Sequence, residues 1–245
     1  METKYEINIC HLYPDILNLY GDRGNIIAMK RRLEWRGIRV NVTEINVGDP
    51  LSWEDYDIFF IGGGQDFEQG VLLKDINSGK GHAIKSAIEA RKVFLVICGG
   101  YQLLGKYYET WDGQHMEFLG ALDLYTKGAK ERMIGNYMFE TESGTTVVAF
   151  ENHSGRTYLG EGMKPLGRVF YGNGNNGQDG TEGVHYKNVY GTYGHGSLLP
   201  KNPALCDELL QTAVSAKYPG VVLEKLPDAF ETEANRYMRE RLSKG

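Results

Sequence analysis

Two uninterrupted apolar runs, each followed by glycines, constrain the fold of this chain more than any other feature. The first run, residues 56–61 (YDIFFI), is followed by three glycines, and the second, residues 93–97 (VFLVI), by Cys98 and two glycines. Continuous apolar runs of this length are typical of strands covered on both faces, as in parallel sheets. Because a helical pattern separates them, the sequence predicts right-handed βαβ units and an α/β fold.

The two halves of the chain differ in character. The first half alternates strand and helix patterns, whereas residues 119–192 are rich in Gly, Thr, Tyr and Val with turn signals between them. That composition predicts a smaller set of shorter, partly antiparallel strands beside a mostly parallel sheet. Besides the two apolar runs, the expected elements are strands at 6–12 and 40–45 and flanking helices at 24–36, 203–218 and 229–242.

Composition narrows the class of protein. The length of 245 residues suits one large domain, and we expect a single domain over 1–245. The net charge of −5, without a basic block, argues against a nucleic-acid partner. Neither a signal peptide nor a run of ~20 apolar residues is recognisable, so we expect no membrane span. Three widely spaced cysteines without a C-x-x-C pair argue against a zinc ribbon or a disulfide framework, and we expect a cytoplasmic protein.

Cys98 stands at the carboxyl end of the second apolar run, where doubly wound sheets bind their ligands. Gly99 and Gly100 give the backbone room for a sharp strand-to-helix turn, as in the turn that exposes the nucleophile of α/β hydrolases. A helix beginning there would favour the thiolate, and the Gly99 amide would face a developing oxyanion. A buried structural cysteine is the alternative, since free cysteines are commonly buried. The strand–Cys–Gly–Gly–helix context favours a nucleophile.

A cysteine nucleophile needs a base, and six histidines are available. His195 lies between two glycines late in the chain, which would let its imidazole project from a loop near a strand end. His153 and His185 are rivals, because a single histidine is more often a satisfied polar residue than a base. The other three, His11, His82 and His115, show no such feature.

Glycine-rich stretches elsewhere in the chain have different meanings. The triplet that contains Gly63 suits either close approach of a ligand, with amides aimed at an oxyanion, or a simple tight turn. Residues 172–177 (GNGNNG) match the dinucleotide-binding pattern G-x-G-x-x-G, but no helical pattern follows, and we interpret them as a flexible loop. No G-x-x-x-x-G-K-[ST] occurs in the sequence, so no ATP-binding P-loop is predicted.

A glycine-rich strand end, a C-G-G-Y-Q turn and a distant histidine resemble the class I glutamine amidotransferases of the cobyric acid synthase-like (CobB/CobQ) branch. Within that branch, the chain resembles most the glutaminase subunits of lipid II isoglutaminyl synthases. The matching stretches span most of the chain: 17–26 (LNLYGDRGNI), 57–64 (DIFFIGGG), 97–104 (ICGGYQLL), 150–158 (FENHSGRTY) and 183–202 (GVHYKNVYGTYGHGSLLPKN). The resemblance implies a flavodoxin-like class I glutamine amidotransferase fold.

The resemblance also implies catalytic roles. Cys98 would attack the side-chain amide of L-glutamine, and His195 would transfer protons to the leaving ammonia and from the water that hydrolyses the thioester. Amides near Gly63 and Gly99 would bind the oxyanion. Gln102, within the C-G-G-Y-Q turn, would lie near the substrate pocket.

The resemblance also suggests roles for Arg132 and for residues 21–25. Arg132 matches a position that would bind the glutamine substrate, and a guanidinium can grip its α-carboxylate bidentately; by itself, Arg132 would be interpreted as a surface charge. Residues 21–25 (GDRGN) are unlike the rest of the amidotransferase core. They would lie near the glutaminase site or a partner interface, or simply form a loop leading into the first helix.

One departure from the family pattern concerns the base. Many class I amidotransferases follow the histidine with Pro-Glu, whose glutamate orients the imidazole, whereas Gly196 and Ser197 follow His195 here. Cys98 and His195 would therefore act as a dyad, or another carboxylate would substitute. Glu151 and Glu182 are the candidates.

The resemblance implies a partner that uses the ammonia. This partner would be a Mur ligase-like subunit (MurT) forming a heterodimer with this chain and binding ATP and Mg²⁺, while this chain would carry no cofactor and no metal. It would convert the D-glutamate of lipid II to D-isoglutamine in peptidoglycan synthesis. Two other interpretations stay open: amidation of another acceptor such as a cobalamin precursor, and a non-catalytic binding subunit of the same fold.

Overall fold

The computed structural model describes residues 4–18, 21–64 and 72–244. The strands are β1 (Glu6–Leu12), β2 (Arg39–Ile45), β3 (Ile58–Ile61), β4 (Val93–Ile97), β5 (Tyr107–Glu109), β6 (His115–Glu117), β7 (Leu124–Thr141), β8 (Thr146–Leu159), β9 (Gly167–Tyr171), β10 (Thr181–Glu182), β11 (Val184–Tyr186) and β12 (Val189–Thr192). The helices are α1 (Arg23–Glu34), α2 (Gly81–Glu89), α3 (Gly99–Leu103), α4 (Leu198–Lys201), α5 (Pro203–Lys217) and α6 (Ala229–Leu242).

A six-stranded sheet with the order β11-β12-β4-β3-β1-β2 carries the site. Its neighbouring strands are parallel except for the β11–β12 pair. The two apolar runs form β3 and β4 in the interior of the sheet, where every residue of both strands is buried. The prediction of an α/β fold with a mostly parallel sheet is confirmed.

Packing between the interior strands follows from their register. Phe59 pairs with Phe94 across β3 and β4, and the two rings stack with centroids 4.6 Å apart and planes 7° apart. Since both rings are fully buried, each contributes about 1.5–3 kcal/mol of hydrophobic stabilisation. This packing holds the carboxyl ends of β3 and β4 side by side.

A second sheet has the order β10-β9-β7-β5-β6, with β8 paired to β7. β7 and β8 form an antiparallel hairpin of 18-residue and 14-residue strands, with a register shift between Gly128 and Met133. The expectation of short strands throughout this half is therefore wrong for these two. Burial alternates along β8, so one face of this long strand packs on the core and the other does not.

Several boundaries follow the sequence closely. β1, β4 and α6 begin and end where the pattern predicts, whereas α1 runs from Arg23 to Glu34 and ends before the left-handed Gly37 (φ 71°).

The expectation of one domain over the whole chain stays a prediction. Among the described residues, no helix has the length and apolarity that crossing a bilayer requires.

The carboxyl edge of the parallel sheet brings distant parts of the chain together. β4 runs into Cys98, β3 runs into Gly62, and β12 leads to His195 three residues beyond its end. In a doubly wound sheet, this edge is where ligands bind.

Candidate active site

Cys98 occupies a strained turn between β4 and α3. Its φ of 47° and ψ of −105° lie outside the ordinary regions for a residue with a side chain, and such strain is concentrated at functional sites. The Cys98 N–H donates to the Thr192 carbonyl at 2.8 Å, which ties the turn to the end of β12. The other two cysteines, Cys10 and Cys206, are fully buried, and burial raises the pKa of both thiols far above the usual range. They are structural, whereas Cys98 retains 8% exposure.

The two glycines after Cys98 are required by close backbone approach. A Cβ on Gly99 would lie 3.1 Å from the Gly64 nitrogen, and a Cβ on Gly100 would lie 2.8 Å from the Gly62 carbonyl oxygen. The C-G-G turn and the glycine triplet therefore pack backbone against backbone. This contact explains why both apolar runs end in glycines.

His195 lies beside Cys98, and the neighbouring sulfur is one of the groups that raise the pKa of its imidazole. The His195 N–H donates to the Phe150 carbonyl at 2.8 Å, so β8 fixes the backbone that carries the imidazole. A Cβ on Gly63 would collide with the imidazole Cε1, so the triplet also makes space for this ring. The structure thus brings together the predicted nucleophile and the predicted base.

Asp22 is the carboxylate next to the base. Its Oδ2 lies 3.5 Å from His195 Nδ1 and accepts a 2.7 Å hydrogen bond from the Gly63 N–H. Asp22 is fully buried and His195 is 1% exposed. Burial lowers the pKa of His195, but the neighbouring Cys98 and Asp22 outweigh it and raise that pKa to about 10. The imidazolium form is therefore favoured beside the sulfur.

The GDRGN stretch, whose last three residues begin α1, contacts the segment that follows His195. Ser197 Oγ donates to the Gly21 carbonyl at 2.6 Å, and the Leu199 N–H donates to Asn25 Oδ1 at 2.8 Å. A Cβ on Gly24 would collide with Ser197. The stretch therefore lies beside His195, near the predicted site, as one interpretation of the sequence expected, while Leu19 and Tyr20 fall outside the described residues. Asp22 was not predicted as a site residue, and its only signal in the sequence was the unusual character of this stretch.

The two carboxylates expected near His195 have other partners. Glu151 accepts hydrogen bonds from the backbone and side chain of Asn173 at 2.9 and 2.8 Å and lies 3.6 Å from His153 Nε2. Glu182 accepts hydrogen bonds from strand-end groups on β12. Asp22, which reaches the imidazole from the opposite end of the chain, takes the place expected for one of these glutamates.

The rival histidines have structural contacts. His153 Nδ1 lies 2.8 Å from the Gly155 carbonyl, and its ring stacks on Tyr193 with centroids 3.6 Å apart. Burial lowers the pKa of His153, so this imidazole is neutral at physiological pH. His185 stacks on Tyr190 at a sheet edge.

Gln102 and Arg132 each form hydrogen bonds to neighbouring residues. Gln102 is buried in α3, and its Nε2 donates to the Tyr193 hydroxyl at 3.0 Å. Arg132 lies on β7, where Nε donates to Asn152 Oδ1 and Nη2 to the Asn152 carbonyl, both at 2.9 Å. This places Arg132 against β8, the strand that also contacts the His195 backbone. The role of each residue in binding glutamine stays a prediction.

The glycine–asparagine stretch at 172–177 is packed against the site. Asn175 is fully buried, accepts a hydrogen bond from the Tyr101 hydroxyl at 3.1 Å and donates to the Gly183 carbonyl at 2.9 Å. Its interpretation as a flexible loop is therefore wrong. The periodicity of the sequence could not reveal these asparagine side-chain contacts, since they join positions distant in the chain.

Comparisons with known proteins agree with this arrangement. Residues 8–203 match the family described as the CobB/CobQ-like glutamine amidotransferase domain. Over 240 residues, the chain is 44% identical to the lipid II isoglutaminyl synthase (glutamine-hydrolyzing) subunit GatD of Staphylococcus aureus, covering 98% of each chain. It is 45% identical to the GatD of Streptococcus pneumoniae, covering 87% of this chain and 83% of that one.

More distant similarity extends to other amidotransferases. A cobyric acid synthase of Pelotomaculum thermopropionicum is 32% identical over 64% of this chain, which spans 32% of that protein. Among solved structures, the glutaminase domain of Trypanosoma brucei CTPS with bound acivicin superposes with a TM-score of 0.55 at 11% identity, covering 89% of this chain and 96% of that one. A glutamine amidotransferase from Thermotoga maritima superposes with a TM-score of 0.54 at 16% identity, covering 97% and 94%. These structures share the fold.

Proposed function

The chain belongs to the CobB/CobQ-like glutamine amidotransferase family, and on that premise we propose that it is the glutaminase subunit of a lipid II isoglutaminyl synthase. The single observation that carries the glutaminase part is the contact between Cys98 and His195, with Asp22 behind the imidazole, at the carboxyl edge of the parallel sheet. The 44–45% identity to GatD subunits over most of both chains supports the acceptor.

The chemistry follows from the pairing of sulfur and imidazolium. The Cys98 thiolate attacks the side-chain amide carbon of L-glutamine and forms a tetrahedral adduct. His195 gives its proton to the amide nitrogen, so that ammonia leaves and a γ-glutamyl thioester remains. The neutral imidazole then takes a proton from water, which attacks the thioester and releases glutamate. Asp22 orients the ring and stabilises its charged form in both steps.

Backbone amides supply the charge stabilisation. The Gly63 N–H already donates to Asp22, so we assign the oxyanion to the amides of Gly99 and its close neighbour Gly64. Gln102 lies near the scissile amide in this proposal, and Arg132 binds the α-carboxylate of the substrate. A guanidinium that already forms two hydrogen bonds to Asn152 is held in one orientation.

The ammonia needs an acceptor, and a Mur ligase-like partner (MurT) would provide it. This partner would bind ATP and Mg²⁺, activate the α-carboxylate of the D-glutamate in lipid II and receive ammonia from the Cys98 site, giving D-isoglutamine. Amidation of a cobalamin precursor has weaker support, because this chain spans only about a third of the cobyric acid synthase that it matches.

The test is ammonia release from glutamine by the chain with and without its ligase partner. Cys98→Ala should abolish release while still co-purifying with the partner, whereas Cys206→Ala, which removes a buried thiol, should retain it. Ammonia release by Cys98→Ala at the native rate would refute the glutaminase assignment. Ammonia release without lipid II amidation by the reconstituted pair would refute only the acceptor.

A further inference from the structure

A short backbone segment joins the nucleophile to the base. Residues 192–195, here called the histidine turn, run from the end of β12 to His195. At one end of the turn, the Thr192 carbonyl accepts the Cys98 N–H at 2.8 Å, and at the other, the His195 N–H donates to the Phe150 carbonyl at 2.8 Å. The conformation of this turn therefore determines how far the sulfur lies from the imidazole.

A buried carboxylate beneath the turn makes the contacts that define it. Glu182 Oε1 accepts hydrogen bonds from Thr192 Oγ1 at 2.7 Å, from the Tyr193 N–H at 2.8 Å and from the Tyr137 hydroxyl at 3.0 Å. Thr192 Oγ1 in turn accepts a 2.9 Å hydrogen bond from the Gly194 N–H. Two consecutive amides of the histidine turn are thus fixed by Glu182, one directly and one through a hydroxyl.

The position of Glu182 is unfavourable for a carboxylate by itself. The residue is fully buried, and Oε2 has no hydrogen-bond partner among the described residues. Burial raises the pKa of the carboxyl to about 7, although the three hydrogen bonds favour its charged form. An isolated carboxylate would be costly here, and an apolar side chain could fill the same space. The three hydrogen bonds that Oε1 accepts explain why an acidic residue occupies this position.

The histidine turn also positions the Tyr193 side chain, which contacts α3, the helix that follows Cys98. The Tyr193 hydroxyl accepts a hydrogen bond from Gln102 Nε2 at 3.0 Å and lies 2.6 Å from Thr157 Oγ1. A shift of the Tyr193 backbone would move this hydroxyl and disturb Gln102. Glu182 therefore influences both the turn that carries His195 and the helix that follows Cys98, although it contacts neither catalytic side chain.

We propose that Glu182 is a positioning residue for the glutaminase reaction: its carboxylate fixes the histidine turn and thereby the relation between Cys98 and His195. The inference rests on the proposed glutaminase function and deepens it, because it assigns a role to a residue outside the catalytic trio of Cys98, His195 and Asp22.

The experiment compares four variants of the full chain by kcat, KM and the rate at which iodoacetamide alkylates Cys98. Glu182→Ala leaves three donors without their acceptor, and we expect kcat to fall about 100-fold with KM nearly unchanged. Glu182→Gln keeps a carbonyl oxygen for the same donors and should restore kcat to within about threefold of the native value. Alkylation of Cys98 should slow in Glu182→Ala and recover in Glu182→Gln.

The other two variants separate positioning from general stability. Thr192→Val removes the hydroxyl that links Glu182 to the Gly194 amide, leaves the direct bond from the Tyr193 N–H, and should lower kcat about 10-fold or more. Tyr137→Phe removes an equally buried donor to the same carboxylate and a longer, 3.3 Å contact to Thr192 Oγ1, but it leaves both hydrogen bonds from the turn to Glu182, so kcat should stay within about twofold. Thermal unfolding of each variant reports whether it is folded at the assay temperature.

The possible results are distinct. Native kcat in folded Glu182→Ala, or equal losses in Thr192→Val and Tyr137→Phe, would overturn the positioning role. If Glu182→Ala does not fold, the contrast between Thr192→Val and Tyr137→Phe still decides. A native chain that releases no ammonia contradicts the proposed function instead, and the iodoacetamide rates still test whether Glu182 controls the environment of Cys98.

Discussion

Asp22 Oδ2 lies 3.5 Å from Nδ1 of His195, although the two residues come from opposite ends of the chain. Asp22 reaches the ring from the loop before α1, and the Gly63 N–H holds its carboxylate at 2.7 Å. One carboxylate thus connects the GDRGN stretch, the glycine triplet and the base. This connection explains how the site orients its imidazole without the Pro-Glu that follows the histidine in many class I amidotransferases.

The first prediction concerns the charge on Asp22. Asp22→Asn retains an acceptor for the Gly63 N–H but removes the charge that helps to raise the pKa of His195 to about 10. We expect kcat/KM for ammonia release to fall about 10²–10⁴-fold. The leaving ammonia needs an imidazolium, so activity should be lost as pH rises through the pKa of His195, and the variant should lose it at lower pH than the native enzyme. A native pH profile in Asp22→Asn would contradict this role.

The second prediction concerns the space that Gly63 leaves for the imidazole. Gly63→Ala would place a methyl group against His195 Cε1 and should displace the ring, lowering kcat about 100-fold. The control is Gly37→Ala, where φ is 71° but nothing lies within 4 Å. That variant should lose stability through backbone strain and keep kcat. Equal kcat in the two folded variants would show that the ring tolerates the methyl group.

The third prediction concerns substrate binding by Arg132. Removal of a charge-assisted bidentate contact in Arg132→Ala should raise KM for glutamine about 10–100-fold while kcat stays near the native value. Arg156→Ala is the matched control, because Arg156 lies on the adjacent strand β8 and likewise donates to backbone carbonyls. Steady-state kinetics over a wide range of glutamine concentrations distinguishes the two. An unchanged KM in Arg132→Ala would mean that another group binds the α-carboxylate.

The fourth prediction concerns the pH dependence of stability. Burial raises the pKa of Glu182 from 4.5 to about 7, so the folded state binds a proton that the unfolded state has lost. Stability should therefore fall as pH rises from about 4.5 through 7, by about 3 kcal/mol if this carboxyl acts alone. Glu182→Gln should lack that fall in urea unfolding at pH 5 and pH 8. The Glu151 charge and the hydroxyl of Tyr137 also face this carboxyl, and both are retained in the variant.

Local sequence predicted those parts of the site that depend on local structure. The apolar runs and their glycines identified β3, β4 and the Cys98 turn, since strand pattern and turn chemistry are short-range properties. The flanking glycines made His195 a candidate beside His153 and His185, and the family resemblance favoured it as the base. Asp22 was not found, because its role depends on a loop docking against a segment distant in the chain. For the same reason the sequence assigned no packed role to Asn175.

The long hairpin shows a second limit of the sequence. β7 and β8 are interrupted by glycines and charged residues that usually mark turns, yet they continue because each pairs along most of its length with the other. The register shift between Gly128 and Met133 absorbs the irregularity. Tertiary pairing of this kind overrides local turn preference. This is why the prediction of short strands was wrong for β7 and β8.

The most direct test of the central claim is a covalent titration of the nucleophile. The chain, alone and with its ligase partner, is treated with a thiol-alkylating glutamine analogue, and peptide mass spectrometry is compared with the ammonia release that remains. We predict one adduct, on Cys98, with activity lost in proportion to its formation and with Cys10 and Cys206 unmodified. Loss of activity while Cys98 stays unmodified, or full alkylation of Cys98 with activity retained, would contradict the account.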